Sequence, residues 1–270
     1  TGYGESPYQR SSVFAGNPLL ISLDKLVVEG LLTNFDINAV FTVENRDISI
    51  TKMAKEKLLR QAFKNFSPTP AYEQFCDEQK YWLDDYALYS ALKKYYKNTA
   101  WIKWPDDIKQ YNTVAVQQAF EVHISEINYI KFIQYLFFTQ WLQLKHYANV
   151  RGIKIIGDLP IFPSHDCADV WAHQDLFNLN IDGTAATIAG VPPDYFSING
   201  QLWGNPHYRW DVMADDGYTW WVQRFYTLEQ LVDAVRIDHF RGFAAYWAID
   251  GKAVTAKTGK WIKGPGRSFF

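Results

Sequence analysis

The sequence predicts an α/β fold, a βα barrel or doubly wound sheet carrying an inserted loop segment. Three observations lead there. Two short apolar segments each run into an aspartate: IKII at 153–156 before Gly157-Asp158, and AVRI at 234–237 before Asp238. Between them lies a polar stretch, 163–217, with little periodicity, and then a helical segment, 219–231. Strand, excursion, helix, strand is the order of a parallel βα unit with an insertion. Ahead of it, the region from about 50 to 150 reads as helical.

The elements follow in order. Residues 1–18, TGYGESPYQRSSVFAGNP, are rich in Gly, Ser, Pro and Tyr and read as a structured loop. The apolar run at 19–23 fits a strand or a helix start equally well. Residues 52–66 bring Met53, Leu58, Leu59, Ala62 and Phe63 near one helical face. The SPTP run at 67–70 ends that helix. The clearest helix is 83–97, with Asp84 and Asp85 at its start and Lys93, Lys94 and Lys97 near its end, each charge matched to the helix dipole. Pro105 marks another break. Residues 114–149 hold neither Pro nor Gly and read as one long helix or two abutting ones. The stretch 163–217 carries Pro192-Pro193, Gly200, Gly204 and Pro206, and a loop of that length is uncommon unless it is functional. Residues 259–266 read as a turn followed by a short strand or loop.

Composition removes several function classes. The 270 residues carry a formal charge of -2, so there is no basic excess for nucleic acid. No apolar run approaches the ~20 residues of a membrane-spanning helix. Two cysteines, Cys76 and Cys167, support neither a disulfide scaffold nor a multi-Cys zinc site, and read as thiols of a reducing compartment. Aromatics at 17% fit a core rich in rings or a cleft that stacks on a ligand. His165, Asp166, Cys167 and Asp169 are a weak metal constellation, because the His and Cys are only two apart and no second cluster appears. No P-loop, GxGxxG or GxSxG is present. No metal site and no phosphate cradle is therefore expected.

The chemistry centres on the second strand. Arg236 and Asp238 are two apart, so on a strand they share a face. A guanidinium beside a carboxylate favours its ionised form. An ionised carboxylate at the C-terminal end of a barrel strand stands where a retaining glycosidase keeps its nucleophile. The alternatives are a helix N-cap or a plain buried ion pair. Against these, His239, Arg241 and Gly242 crowd the same turn, and such a polar cluster is costly to bury for structure alone. Tyr195 and Phe196, ahead of Gly200 and Trp203, and Tyr3 and Tyr8 in the first loop, either stack on sugar rings or pin their loops to the core.

Taken together these segments resemble a known family. TGYGESPYQ (1–9), FAGNPLL (14–20), LDDYALYSALK (83–93), RGIKIIGDLPIF (151–162), AGVPPDYFS (189–197), GQLWGNPHY (200–208), VRIDHFRGF (235–243) and WIKGPG (261–266) are similar to the 4-alpha-glucanotransferases, the amylomaltases or disproportionating enzymes. The resemblance runs through nearly the whole chain in order. It implies a (β/α)8 TIM barrel of the α-amylase-like type, incomplete in this span, with helical and loop insertions. The implied parts are 1–50, barrel with a substrate loop; 51–150, a helical insertion; 151–162, a barrel strand; 163–217, a loop insertion over the cleft; and 218–270, barrel with the nucleophile strand.

The resemblance also implies cytoplasmic chemistry on maltooligosaccharides and α-1,4-glucans, by a retaining double displacement through a covalent glucosyl-enzyme, without a cofactor. Asp238 takes the family's nucleophile position and Arg236 the position that orients it. Asp158 and His239 fall in the substrate-contacting shell. Tyr8, with Tyr3 and Ser6 of the same segment, lies near the cleavage site. Tyr195 and Phe196 belong to the loop arching over the glucan, and Trp203 supports the cleft.

Two parts of the family pattern have no match here. The acid/base glutamate and the third carboxylate normally lie beyond the WIKGPG segment, and the last glutamate of this chain is Glu229. The first barrel strand is also unmatched, and residue 1 is Thr. The expectation is an internal piece of a longer enzyme, with exposed strand edges and little turnover alone. An α-glucan hydrolase and a non-catalytic α-glucan-binding protein are the competing readings. A helical interaction module built on 50–150 is a third.

Overall fold

The computed structural model describes residues 9–40 and 48–270. The chain enters through an irregular segment and a 3-10 turn, Pro18–Leu20, capped by the Asn17 side chain. Residues 19–23 resolve into a helix start: Ser22 accepts from the Lys25 backbone N–H and caps α1 (Leu23–Val28). Then come α2 (Asn34–Val40) and α3 (Ile48–Asn65). Leu58, Leu59 and Ala62 are buried on α3, whereas Met53, expected on the same face, is 74% exposed one turn closer to the helix start.

The SPTP run does more than end α3. Thr69 caps α4 (Pro70–Glu78), and Pro70 occupies the first turn, where its missing N–H costs nothing. α5 (Lys80–Tyr95) and α6 (Asp106–Lys109) follow. The Pro-free stretch is two abutting helices, α7 (Thr113–Val122), capped by Asn112, and the 26-residue α8 (Ile124–Asn149). α5 and α8 pack along one another and bury Trp82, Leu83, Tyr89, Phe132 and Leu136. Two buried glutamines of α8 hold the entry segment. Gln134 accepts from the Gly16 N–H at 2.8 Å and donates to its carbonyl at 3.3 Å. Gln140 does the same with Ser22, at 2.7 and 3.2 Å. Gly16 is needed there, since a Cβ would fall 1.9 Å from the Phe137 ring.

β1 (Ile156–Pro160) and β4 (Ala234–Asp238) form a parallel pair with Asp158 opposite Arg236 and Pro160 opposite Asp238. β1 therefore starts three residues later than the apolar run suggests, and Asp158 lies mid-strand rather than at the strand end. The reason is local. Gly152 turns the chain after α8 at φ +76°, and 153–155 are spent reaching Asp233, whose carboxylate accepts from the Ile155 N–H at 2.8 Å.

The stretch 163–217 is not a bare loop. It carries α9 (Ala168–Ala172), β2 (Thr187–Val191), β3 (Gln201–Pro206) and α10 (Trp210–Asp215). α11 (Thr219–Leu231) leads into β4, and β5 (Ala245–Asp250) and β6 (Lys260–Lys263) follow. β3, β2, β5 and β6 make an antiparallel sheet in that order. β2, TIAGV, is buried at its three central positions, so its sequence shows no polar alternation. Among the described residues, β1 and β4 have no further strand partners and do not close into a barrel.

Candidate active site

Strand alternation and register place three side chains on one face. The Arg236 guanidinium donates from Nη1 to Asp158 Oδ1 at 2.6 Å and from Nη2 to Asp238 Oδ1 at 2.7 Å. The bond to Asp158, then the charges of both aspartates, hold the arginine above its ordinary pKa. The Arg236 side chain is 62% exposed, so these pairs contribute little to stability. Their effect is geometric: a planar fork fixes one oxygen of each carboxylate. Neither aspartate caps a helix.

β4 ends at Asp238 and the chain turns sharply. His239 takes a left-handed conformation, φ +53°, that few non-glycine residues adopt, and leads into a 3-10 turn, Phe240–Phe243. Its ring stands edge-on to Trp203, 4.9 Å between centroids at 88°. Burial lowers the His239 pKa, opposed by the Asp238 charge. Its Nε2 is buried with no hydrogen-bond partner among the described residues. Gly242 permits the turn, because a Cβ there would meet Ile161 at 2.8 Å and the His239 ring at 3.1 Å.

These residues open on a cleft of about 600 Å³ whose lining includes Asp238, His239, Trp203, Asn205, His165 and Gln9. Asp158 reaches the site through Arg236 rather than by lining the cleft. Trp203 lies on β3, 37% exposed, with its indole N–H donated to Gln201 at 3.1 Å. Tyr195 and Phe196 sit on the β2–β3 connection, 97% and 90% exposed, and touch each other edge-to-face at 5.6 Å. They neither line the cleft nor pin their loop to the core. The Asp194 carboxylate shapes that tip by accepting from the Phe196 and Ser197 N–H groups. Tyr3, Ser6 and Tyr8 lie outside the described residues.

The cleft floor rests on a residue that sequence spacing does not reveal. Arg224 of α11 is fully buried, faces the Trp221 ring at 4.7 Å, and donates to the Ile161 carbonyl at 3.0 Å and to that of Pro160. It thereby fixes the end of β1 under the cleft. Burial lowers its pKa, opposed by Tyr208 and Asp169.

The weak metal constellation is dispersed over separate structural partners. Asp166 accepts from Tyr89, Lys93 and the Trp101 N–H. The Cys167 thiol caps α9 by accepting from the Val170 N–H at 3.4 Å. Asp169 accepts from the Val13 N–H at 2.9 Å. Among the described residues no group of three His, Cys, Asp or Glu could hold a metal ion. No helix among them is long and apolar enough to cross a membrane.

Comparison with known proteins gives the family. The family model described as 4-alpha-glucanotransferase matches residues 1–270. The 4-alpha-glucanotransferase of Streptococcus pneumoniae serotype 4 is 44% identical over 277 residues, covering 100% of this chain and 55% of the relative. That of Thermus thermophilus is 43% identical over 276 residues, with 100% and 55% covered. Among solved structures, the amylomaltase from Streptococcus agalactiae in complex with acarbose superposes with a TM-score of 0.93 at 37% identity, covering 100% of this chain and 56% of that one. The amylomaltase from Corynebacterium glutamicum, at 17% identity and a TM-score of 0.69 over 97% of this chain and 36% of its own, shares the fold. This chain spans about half the length of the curated relatives it matches. Its fold is an α/β TIM-type barrel, incomplete over these residues, and the chain belongs to the 4-alpha-glucanotransferase family.

Proposed function

We propose that these residues carry the nucleophile side of a 4-alpha-glucanotransferase acting on maltooligosaccharides in the cytoplasm. The observation behind this reading is the Arg236 fork between Asp158 and Asp238 at the mouth of an aromatic-walled cleft. Arg236 holds Asp238 Oδ1, which leaves Oδ2 for the anomeric carbon. Attack forms the C1–Oδ2 bond as the α-1,4 C1–O bond breaks, and the departing oxygen takes a proton from a general acid. The 4-hydroxyl of a second glucan then attacks C1, gives its proton to the same acid/base group and frees the carboxylate. Trp203 and His239 offer an aromatic wall, Asp158 acts on the site by steadying Arg236, and Tyr195 and Phe196, exposed on the β2–β3 connection, are available to a long bound chain. Tyr3, Ser6 and Tyr8 would complete the site. The acarbose complex of the Streptococcus agalactiae relative supports a ligand of that class here.

A retaining mechanism needs a second carboxyl about 5–5.5 Å from the nucleophile. Asp158 is engaged by Arg236, and Glu229 lies near the end of α11 that leads into the start of β4, whereas Asp238 closes the opposite end of that strand. We place the acid outside residues 1–270, so this span alone is expected to turn over maltotriose poorly. An activated donor isolates the first half-reaction, because fluoride leaves without a general acid. With α-maltosyl fluoride, mass spectrometry should find a maltosyl adduct on the peptide containing Asp238, and none in Asp238→Asn. An adduct elsewhere overturns the assignment of Asp238 as nucleophile, and no adduct at all overturns it in favour of a glucan-binding protein. Maltotriose converted to glucose and maltopentaose by the 270-residue chain would show an acid inside the span. Conversion to glucose and maltose alone would mark a hydrolase.

A further inference from the structure

We propose that His165 is a sugar-hydroxyl acceptor in the cleft, a contact that sets affinity for the α-glucan; this rests on the functional reading above. His165 stands on the connection from β1 to α9, half-buried, and lines the same cleft as Asp238, His239 and Trp203. Its Nε2 lies 2.8 Å from the carbonyl oxygen of Gly183. A carbonyl oxygen only accepts, so Nε2 carries the hydrogen and donates. Burial lowers the pKa of this ring below 6.5, with the Gly183 bond and the Asp166 charge opposing, so the imidazole is neutral at pH 7. A neutral imidazole with its hydrogen on Nε2 keeps a lone pair on Nδ1. Among the described residues no donor meets Nδ1, and the residue itself is only partly buried where it lines the cleft.

The acceptor is also fixed in place. The ring stacks on Trp101, 5.3 Å between centroids at 29°. Trp101 is fully buried and donates its indole N–H to the His165 carbonyl at 2.8 Å. Gly183 lets the three groups meet, since a Cβ there would stand 2.8 Å from the Trp101 ring. The next residue, Asp166, is tied by Tyr89 at 2.8 Å, Lys93 at 2.8 Å and the Trp101 N–H at 3.2 Å. Ring edge, ring face and backbone are all held, so little side-chain freedom is lost when a ligand donates to Nδ1. The cleft already has a carboxylate and an aromatic wall, and a sugar brings hydroxyl donors to it.

A purely structural histidine would need only Nε2, and two conservative variants separate the two nitrogens. In His165→Gln the side-chain amide reaches the Nε2 position and keeps the Gly183 bond without the acceptor. In His165→Asn the amide oxygen stands near Nδ1 and keeps the acceptor without the Gly183 bond. Titration calorimetry with maltoheptaose should show affinity about three- to tenfold weaker for Gln, with an unchanged unfolding midpoint. Asn should bind within twofold of the original chain. In 15N spectra of the original chain, His165 should be the Nε2–H form, and its Nδ1 signal should move on adding maltoheptaose. A Gln variant that binds normally, or an Nδ1–H ring, overturns this assignment alone. An original chain that does not bind maltoheptaose overturns both the assignment and the functional reading.

Discussion

The helical layer and the β1–β4 strand pair are built on opposite terms. In α5 and α8, Leu83, Tyr89 and Phe132 are fully buried, and the polar groups among them are paired, as Gln134 is with Gly16. In the strand pair, Ile156 is 71% exposed, Arg236 is mostly in water, and both outer edges lack a strand partner among the described residues. Stability is concentrated in the first region and the candidate chemistry in the second. A fully paired helical layer tolerates an unfinished sheet beside it, whereas exposed ion pairs add orientation without much free energy. Strand pair edges of this kind also template association, a risk that closure of a barrel removes.

The largest expected effect separates the two regions directly. Trp171 of α9 is fully buried among Tyr89, Trp104 and Tyr111, and its indole N–H is donated to the Ile108 carbonyl at 2.8 Å. Trp171→Ala should cost about 3–5 kcal/mol in urea unfolding, from lost burial and an unfilled cavity. Asp238→Asn, on the strand pair, should change stability by less than about 0.5 kcal/mol while abolishing the maltosyl adduct. A strongly destabilised Asp238→Asn would break the comparison, because the strand pair would then be supporting the fold.

A smaller effect lies between the regions. His207 is buried behind the cleft, bonded through Nδ1 to Thr187 at 2.9 Å and packed on Tyr246, 4.4 Å between centroids. Burial, helped by the His239 charge, pushes its pKa down to about 3. The unfolded chain, with a histidine near 6.5, then takes up the proton first. The contribution is present in full above pH 6.5 and is lost as the pH falls towards 3. Between pH 7 and pH 4.5 the loss should be about 2–3 kcal/mol. Urea unfolding of the original chain and of His207→Leu over that range isolates this histidine from the carboxylates. Parallel pH curves would show that His207 is not the group that titrates.

What could be read from the sequence follows the same division. β4 was legible because VRID alternates apolar and charged residues and ends on an aspartate. α5 was legible at its end, where Lys93 and Lys94 meet the dipole, but it starts at Lys80 and ends at Tyr95, so Asp84 and Asp85 lie past its first turn and Lys97 beyond its last. β1 was displaced by three residues, since nothing in IKII shows that Asp233 draws 153–155 out of the strand. β2 was missed because burial at its central residues erased the alternation that marks a half-buried strand. The Arg224 bond to Ile161 spans 63 residues of chain and leaves no local pattern. Tyr195 and Phe196 were found as loop aromatics, but which way they face is a property of the folded tip.

The smallest effect tests where the two regions join. Cys167 holds the N-cap of α9 with a sulfur acceptor 3.4 Å from the Val170 N–H, buried and with its thiol pKa pushed up by burial. Sulfur is a weak acceptor, whereas a serine hydroxyl is among the best N-caps and can also donate to Asp169 alongside it. Cys167→Ser should therefore stabilise the chain by about 0.5 kcal/mol in urea unfolding, a gain limited by the smaller side chain in a closed site. The maltosyl adduct on Asp238 should form at an unchanged rate, because the Cys167 side chain is not itself part of the cleft lining and takes no part in the Arg236 fork. A changed labelling rate at unchanged stability would mean that α9 transmits its packing to the cleft, and that the two regions are less separate than their burial suggests.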